Sequence, residues 1–224
     1  TIQNDECWLK TKWNSGVRDV NIRLDENCQA LVTASMLVPG HEDICGLDKY
    51  PEGSYYRVII IDKKTEKTLW SSAWRTPFNA TEYLGRELVY EVKSVANHCN
   101  PLWGRLNFED KSVPVVTCPP NTSKKYPSGT YTFVCTDVDS VFNVKKSWTD
   151  VNYAYFTGLA TATDNCGTPV LDKVSDVLSI FADCNEQADR DYVYAQIART
   201  FYFRDEFGNV GHCTQYIYFQ RPTL

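Results

Sequence analysis

Nine cysteines, at positions 7, 28, 45, 99, 118, 135, 166, 184 and 213, constrain this 224-residue chain more than any other feature. No two stand close enough to form a CxxC pair, so the spacing excludes zinc knuckles and thioredoxin-like redox motifs. What remains is a disulfide framework in an oxidising location, and a secreted or cell-surface, extracellular placement is expected. Nine is odd, so at least one cysteine is a free thiol or is bonded to another chain. The chain opens on Thr1 with no leader, which reads as a processed or excised segment.

Short alternating runs dominate the rest. VNIRL (20–24), YYRVIII (55–61), ELVYEVK (87–93) and WGRLNF (103–108) are expected strands of the first half. TYTFVCT (130–136), GLATAT (158–163), YVYAQIARTFYF (192–203) and TQYIYF (214–219) are those of the second. Aromatic residues reach 13%, with 14 Tyr against one Met, a bias that suits a pleated surface. Pro-Gly and Gly-Asn turns separate the runs. VSDVLSIF (174–181) is the one window whose spacing suggests one or two helical turns. Many short strands with regular turns predict an all-β chain built from β-sandwiches. FEDKSVP (108–114) is charged and ends in proline, and it marks a boundary between residues 1–111 and 112–224. Each half has the size of one immunoglobulin-like sandwich, so two such sandwiches in tandem, stapled by disulfides, are expected. Four cysteines fall in the first and five in the second.

Several functions are disfavoured. A net charge of -5 offers no basic excess for nucleic acid. No run reaches the ~18 apolar residues of a membrane helix, so no membrane insertion is expected. The three histidines, His41, His98 and His212, form no HExxH pair, and there is no GxSxG elbow or Gly-rich phosphate loop. Carboxylate pairs such as Asp25/Glu26 and Asp205/Glu206 read as solvated turns, since nothing splits their pKa values. The chain is therefore not expected to be an enzyme. Calcium is the one cofactor with any support, from oxygen-rich stretches at Asp25-Glu26-Asn27, Glu109-Asp110 and Asp164-Asn165, against plain turn-forming roles for the same residues.

Two Asn-x-Ser/Thr sequons, at Asn79 and Asn121, are candidate glycosylation sites. Trp70 and Trp74 are four apart, and in an extended stretch both would face one side as a sugar-stacking platform; core packing is the simpler reading of the same pair.

ATDNCG (162–167), IARTFYFRDEFGN (197–209) and CTQYIYF (213–219) together resemble the hyalin-repeat-like modules of large surface proteins of Bacteroidota, giant gliding adhesins among them. RLDENCQALVTASML (23–37) is similar to the LDENC module that precedes them, and WGRLNFEDKSVPVVTCP (103–119) resembles the join. The resemblance covers nearly the whole chain, apart from residues 1–16 and about 124–152. It implies an extracellular fibre or adhesin segment or subunit, and the edge strands of tandem sandwiches offer a route to self-association into filaments. The alternative is a glycan-binding surface module using exposed tryptophans. It also implies a Cys118–Cys213 bridge. Phe207 stands where such modules usually carry a cysteine, which would strand Cys135 as a buried reduced thiol. Cys166 and Cys184 flank an expected hairpin and form the remaining pair. Four cysteines allow three pairings in the first half; strand flanking favours Cys7–Cys28 and Cys45–Cys99. Asp139-Ser140-Val141 is similar to the O-glycosylation motif of the same phylum, which makes Ser140 a candidate. Residues 1–13 carry Trp8 and Trp13, which are costly to leave in water. That segment either folds back as a local edge strand or adds to an edge of the next subunit and mediates assembly.

Overall fold

The computed structural model describes residues 18–37, 56–94, 101–121, 133–141, 157–181 and 193–220. The chain divides into two compact units, Thr1–Lys111 and Ser112–Leu224, parted within the charged stretch before Pro114. The fold is all-β: twelve strands and a few single helical turns make up its regular structure among the described residues.

Unit 1 is built on a sheet of β1 (Arg18–Arg23), β3 (Tyr56–Asp62), β4 (Thr68–Ser71), β6 (Leu88–Ser94) and β7 (Leu102–Glu109). Their spatial order is β1-β7-β6-β3-β4, with β1 parallel to β7 and every other pairing antiparallel. Strand β3 shows why these residues fold this way: Tyr56, Val58, Ile60 and Asp62 share the buried face, as a period of two requires. Ile60 lies opposite Tyr90 of β6, and both are fully buried. A short ladder joins β2 (Gln29–Ala30) to β5 (Phe78–Asn79). Phe78 carries this ladder onto the large sheet: its ring stacks on Phe108 at 5.0 Å and meets Trp70 edge-on at 6.5 Å. Each such buried side chain contributes about 1.5–3 kcal/mol.

Asp62 ends β3 as a buried carboxylate. It accepts from the backbone N–H groups of Lys64 (2.8 Å) and Thr65 (3.1 Å), and from Arg86 Nη1 (3.1 Å). The Thr65 N–H above all, with the Arg86 guanidinium, holds its carboxyl below the usual carboxylate range, against the opposing pull of desolvation.

Unit 2 has a three-stranded antiparallel sheet in the order β10 (Val170–Ile180), β11 (Val193–Arg204), β12 (Val210–Gln220). A second ladder pairs β8 (Val115–Thr117) with β9 (Thr161–Thr163). The β11–β12 hairpin turns through Asp205, whose Oδ1 accepts from Asn209 N at 2.7 Å, while Gly208 takes the left-handed φ of 89°. At Gly211 a Cβ would run into the Pro114 carbonyl, so only glycine lets the chain entering β8 pass this close to β12.

The inward face of β11 is Ala195, Ile197, Arg199, Phe201 and Phe203. Two apolar clusters fill it. Phe133, Val138 and Val141 pack on Ala195, Ile197, Ile217 and Phe219, and Ala160 packs on Phe201 and Phe203. Arg199 falls in phase between them with no exposed surface. Its Nε and Nη2 meet the two carboxylate oxygens of Asp176 at 2.8 and 2.7 Å. Nη1 reaches Thr157 Oγ1 (3.2 Å), and Nη2 also reaches the Val141 carbonyl (2.8 Å). Opposite it on β12, Gln215 donates from Nε2 to the carbonyls of Thr157 (2.6 Å) and Pro120 (3.0 Å). Three segments, at Pro120, Val141 and Thr157, are thereby tied to the sheet interior. Burial pushes the Arg199 guanidinium down to about 10, still far above neutrality, so it remains charged and needs the Asp176 carboxylate.

Two expected elements differ. Residues 174–181 lie in β10 and just beyond it, not in a helix: Val174, Asp176 and Leu178 alternate inward, and ten residues of β10 pair with β11. The described part of the expected strand 130–136 is a single parallel bridge, Val134 to Gln220, followed by a 3₁₀ turn over Cys135–Asp137. That turn forms because the Asp137 carboxylate accepts from Val134 N at 2.8 Å.

Candidate assembly surface

Cys118, one residue past β8, is bonded to Cys213 on β12 with a Cα–Cα distance of 5.8 Å. Cys28, Cys135 and Cys166 are also disulfide-bonded. The expectation of a reduced thiol at Cys135 is therefore wrong, and the geometry shows why. Val134 pairs with Gln220, at the opposite end of the 11-residue β12 from the turn that holds Phe207. That strand spans ~33 Å, whereas bridged Cα atoms stand about 4.4–6.8 Å apart. A cysteine at position 207 could not have been the mate of Cys135. No hairpin lies between Cys166 and Phe181 either, because Val170–Ile180 is one continuous strand. Cys7, Cys45, Cys99 and Cys184 lie outside the described residues, and with them the Cys7–Cys28, Cys45–Cys99 and Cys166–Cys184 pairings.

The tryptophan platform does not form. Trp70 is only 3% exposed and its Nε1 donates to the Thr76 carbonyl at 2.8 Å, whereas Trp74 is 56% exposed. The chain curls into a 3₁₀ turn over Ser72–Trp74, with Ser71 Oγ accepting from Ala73 N, and this sends the two rings to different environments. Trp103, on β7, is also exposed. Trp8 and Trp13 lie outside the described residues, as do His41 and His98. The His212 ring lies 5.8 Å from that of Tyr202.

The carboxylates considered for calcium mostly organise their own turns. Asp25 Oδ1 accepts from Asn27 N and Gln29 N, and Asp164 Oδ2 accepts from Cys166 N. Asp205 grips Asn209 through both its oxygens. Within unit 2, Asp164 and Asp205 bring carboxylate oxygens within 4.8 Å of each other. Glu109 pairs with Lys111 at 2.8 Å, and Asp110 is buried. Asn79 and Asn121 are both exposed; Asn79 Oδ1 accepts from Thr81 N and Asn121 Oδ1 from Tyr216 N. Ser140 falls in the helical turn Val138–Val141.

The feature that stands out is β10. Among the described residues it pairs on one side only, with β11, and no residue of it is buried as a whole, although the Asp176 side chain is. Its two halves differ. Toward the N-terminal end, the register shifts between Leu171 and Lys173, Asp172 pairs with Arg204 at 3.0 Å, and the Lys173 ammonium stands over the Tyr202 ring. A bulge and charges of this kind are what keep an edge strand from pairing with another chain. Toward the C-terminal end the described residues show no bulge, and the one charge, Asp176, is turned inward to Arg199. Val177, Ile180 and Phe181 are 61%, 58% and 59% exposed, and no charge or proline interrupts residues 177–181. Sequence reasoning missed this edge because it read the same stretch as a helix; the signal available was that the stretch can pair along its length with the 192–203 strand.

Comparison with family models and with characterised proteins found no match to this chain. No helix among the described residues is long and apolar enough to cross a membrane.

Proposed function

We propose that this chain is an extracellular structural or adhesive protein, a subunit or segment of a surface fibre, and that β10 is the acceptor edge through which copies join. The observation that carries this reading is the C-terminal half of β10, which among the described residues has no partner on its outer side and carries the exposed Val177 and Ile180, so that it offers backbone hydrogen bonds together with side-chain register. The donor is residues 1–13 of the next copy, where Trp8 and Trp13 supply apolar anchors. Such a contact is head-to-tail and generates an open filament when the rotation does not close.

Both units are read as immunoglobulin-like sandwiches. In unit 1, the parallel β1–β7 pairing at the edge of an antiparallel sheet and the separate β2–β5 ladder support this. The Cys118–Cys213 bond is the one that the resemblance to hyalin-repeat-like modules implies, and it supports that resemblance as a reading of unit 2.

The test is light scattering and electron microscopy of the native chain against Val177→Lys/Ile180→Lys and against a variant lacking residues 1–6 with Trp13→Ala. Each should raise the concentration needed for assembly by at least about tenfold with an unchanged β-type circular dichroism spectrum. Unaltered filaments in the edge variant refute β10 as acceptor; unaltered filaments in the other refute the N-terminal donor. A second reading, glycan binding, rests on exposed Trp74 alone. It predicts glycan-array binding that is lost on Trp74→Ala.

A further inference from the structure

Asn79 closes β5 at the surface, and Asn79-Ala80-Thr81 is described in full. The middle residue is the anchor. Ala80 is buried, and its N–H donates to the carbonyl of the disulfide-bonded Cys28 at 3.0 Å. The outer two residues are exposed. The Asn79 carboxamide is oriented by a hydrogen bond from Thr81 N to its Oδ1 at 3.0 Å. This Asx-type turn fixes the amide plane through its oxygen. Asn79 Nδ2 donates no hydrogen bond within unit 1 among the described residues, and the Thr81 side chain is exposed two residues on. Disulfides in both units, at Cys28 and at Cys118–Cys213, fit an oxidising location outside the cytosol, where a surface sequon is accessible for modification.

We infer that Asn79 is an N-glycosylation site: a rigid surface turn that presents the carboxamide nitrogen outward to a lipid-diphosphate-linked oligosaccharide. In the transfer, a bond forms from Asn79 Nδ2 to the anomeric carbon of the first sugar. The bond from that carbon to the diphosphate oxygen breaks, the electron pair leaves with the lipid diphosphate, and the Nδ2 proton passes to a base of the transferase. A plain turn-capping role accounts for the Thr81 N–H bond equally well, so the test must separate the two. Asn79→Asp keeps the Oδ1 acceptor and removes the acceptor nitrogen; Thr81→Ala keeps Asn79 and its cap but breaks the sequon.

The experiment is glycopeptide mass spectrometry of the protein and both variants made in the native host, with thermal unfolding in parallel. The expected result is a saccharide mass increment on the Asn79 peptide of the native chain that is lost completely in both variants. The bare Asn79→Asp protein should unfold like enzymatically deglycosylated native chain. An unmodified Asn79 peptide from native material, or an increment that survives Thr81→Ala, overturns the inference.

Discussion

Arg199 occupies a place where an aliphatic side chain would cost nothing in solvation, and each of its three guanidinium nitrogens has an acceptor. Such an ion pair is weak support for stability as a pair and strong support against losing one partner. Asp176→Ala should therefore destabilise unit 2 by about 3–5 kcal/mol, while Asp176→Leu with Arg199→Met recovers most of that loss. Urea unfolding of the three proteins checks this; equal losses in the single and double variants would show that shape matters more than the buried charge. Asp62 makes a pH prediction in unit 1. Its folded carboxyl is held below the unfolded value, so its stabilisation is complete above pH ~4 and disappears as pH falls through the folded value. Asp62→Asn should lower stability at neutral pH and flatten the acid limb of the stability curve, measured by denaturant unfolding across that range.

At the scale of elements, the hairpin of β11 and β12 controls unit 2, and Gly211 is its tightest point. Gly211→Ala must move the Pro114 carbonyl away, with an expected cost of about 1–3 kcal/mol. Faster hydrogen exchange in β8 and β9 would be its signature. These strands were legible in the sequence because alternation survives in them: 192–203 and 214–219 fall within one residue of β11 and inside β12. The same alternation carries Arg199 in phase with Ile197 and Phe201, a buried-arginine signal that charge alone conceals. Strand β10 was misread because Val174, Val177, Leu178 and Phe181 also satisfy a helical spacing, and only pairing with β11 decides between the two. Pairs as short as β2 with β5 leave too little sequence for any period to register. The mate of Cys135 is limited by distance along β12, which a family pattern of cysteines does not carry.

For the molecule as a whole, parity now says where the odd cysteine must be sought. Cys28, Cys118, Cys135, Cys166 and Cys213 are all bonded, so a cysteine without an intrachain mate is one of Cys7, Cys45, Cys99 and Cys184. Alkylation of the unreduced, denatured chain should label only among those four positions, and not all four, because Cys28, Cys135 and Cys166 cannot all pair with one another; otherwise a non-reducing gel should show a covalent dimer. The Cys118–Cys213 bond spans a sequence separation of 95 residues, and in the chain-entropy argument replacing both with serine costs up to roughly 4.7 kcal/mol. The same bond has a mechanical meaning. Tension entering unit 2 at Ser112 and leaving at Leu224 passes from Cys118 directly to Cys213, so the stretch between them carries no load. Under a pull strong enough to unravel the fold, only the short ends pay out, ~60 Å of slack against the ~400 Å of an unbridged chain. In a fibre dragged across a surface, unit 2 would behave as a nearly inextensible link.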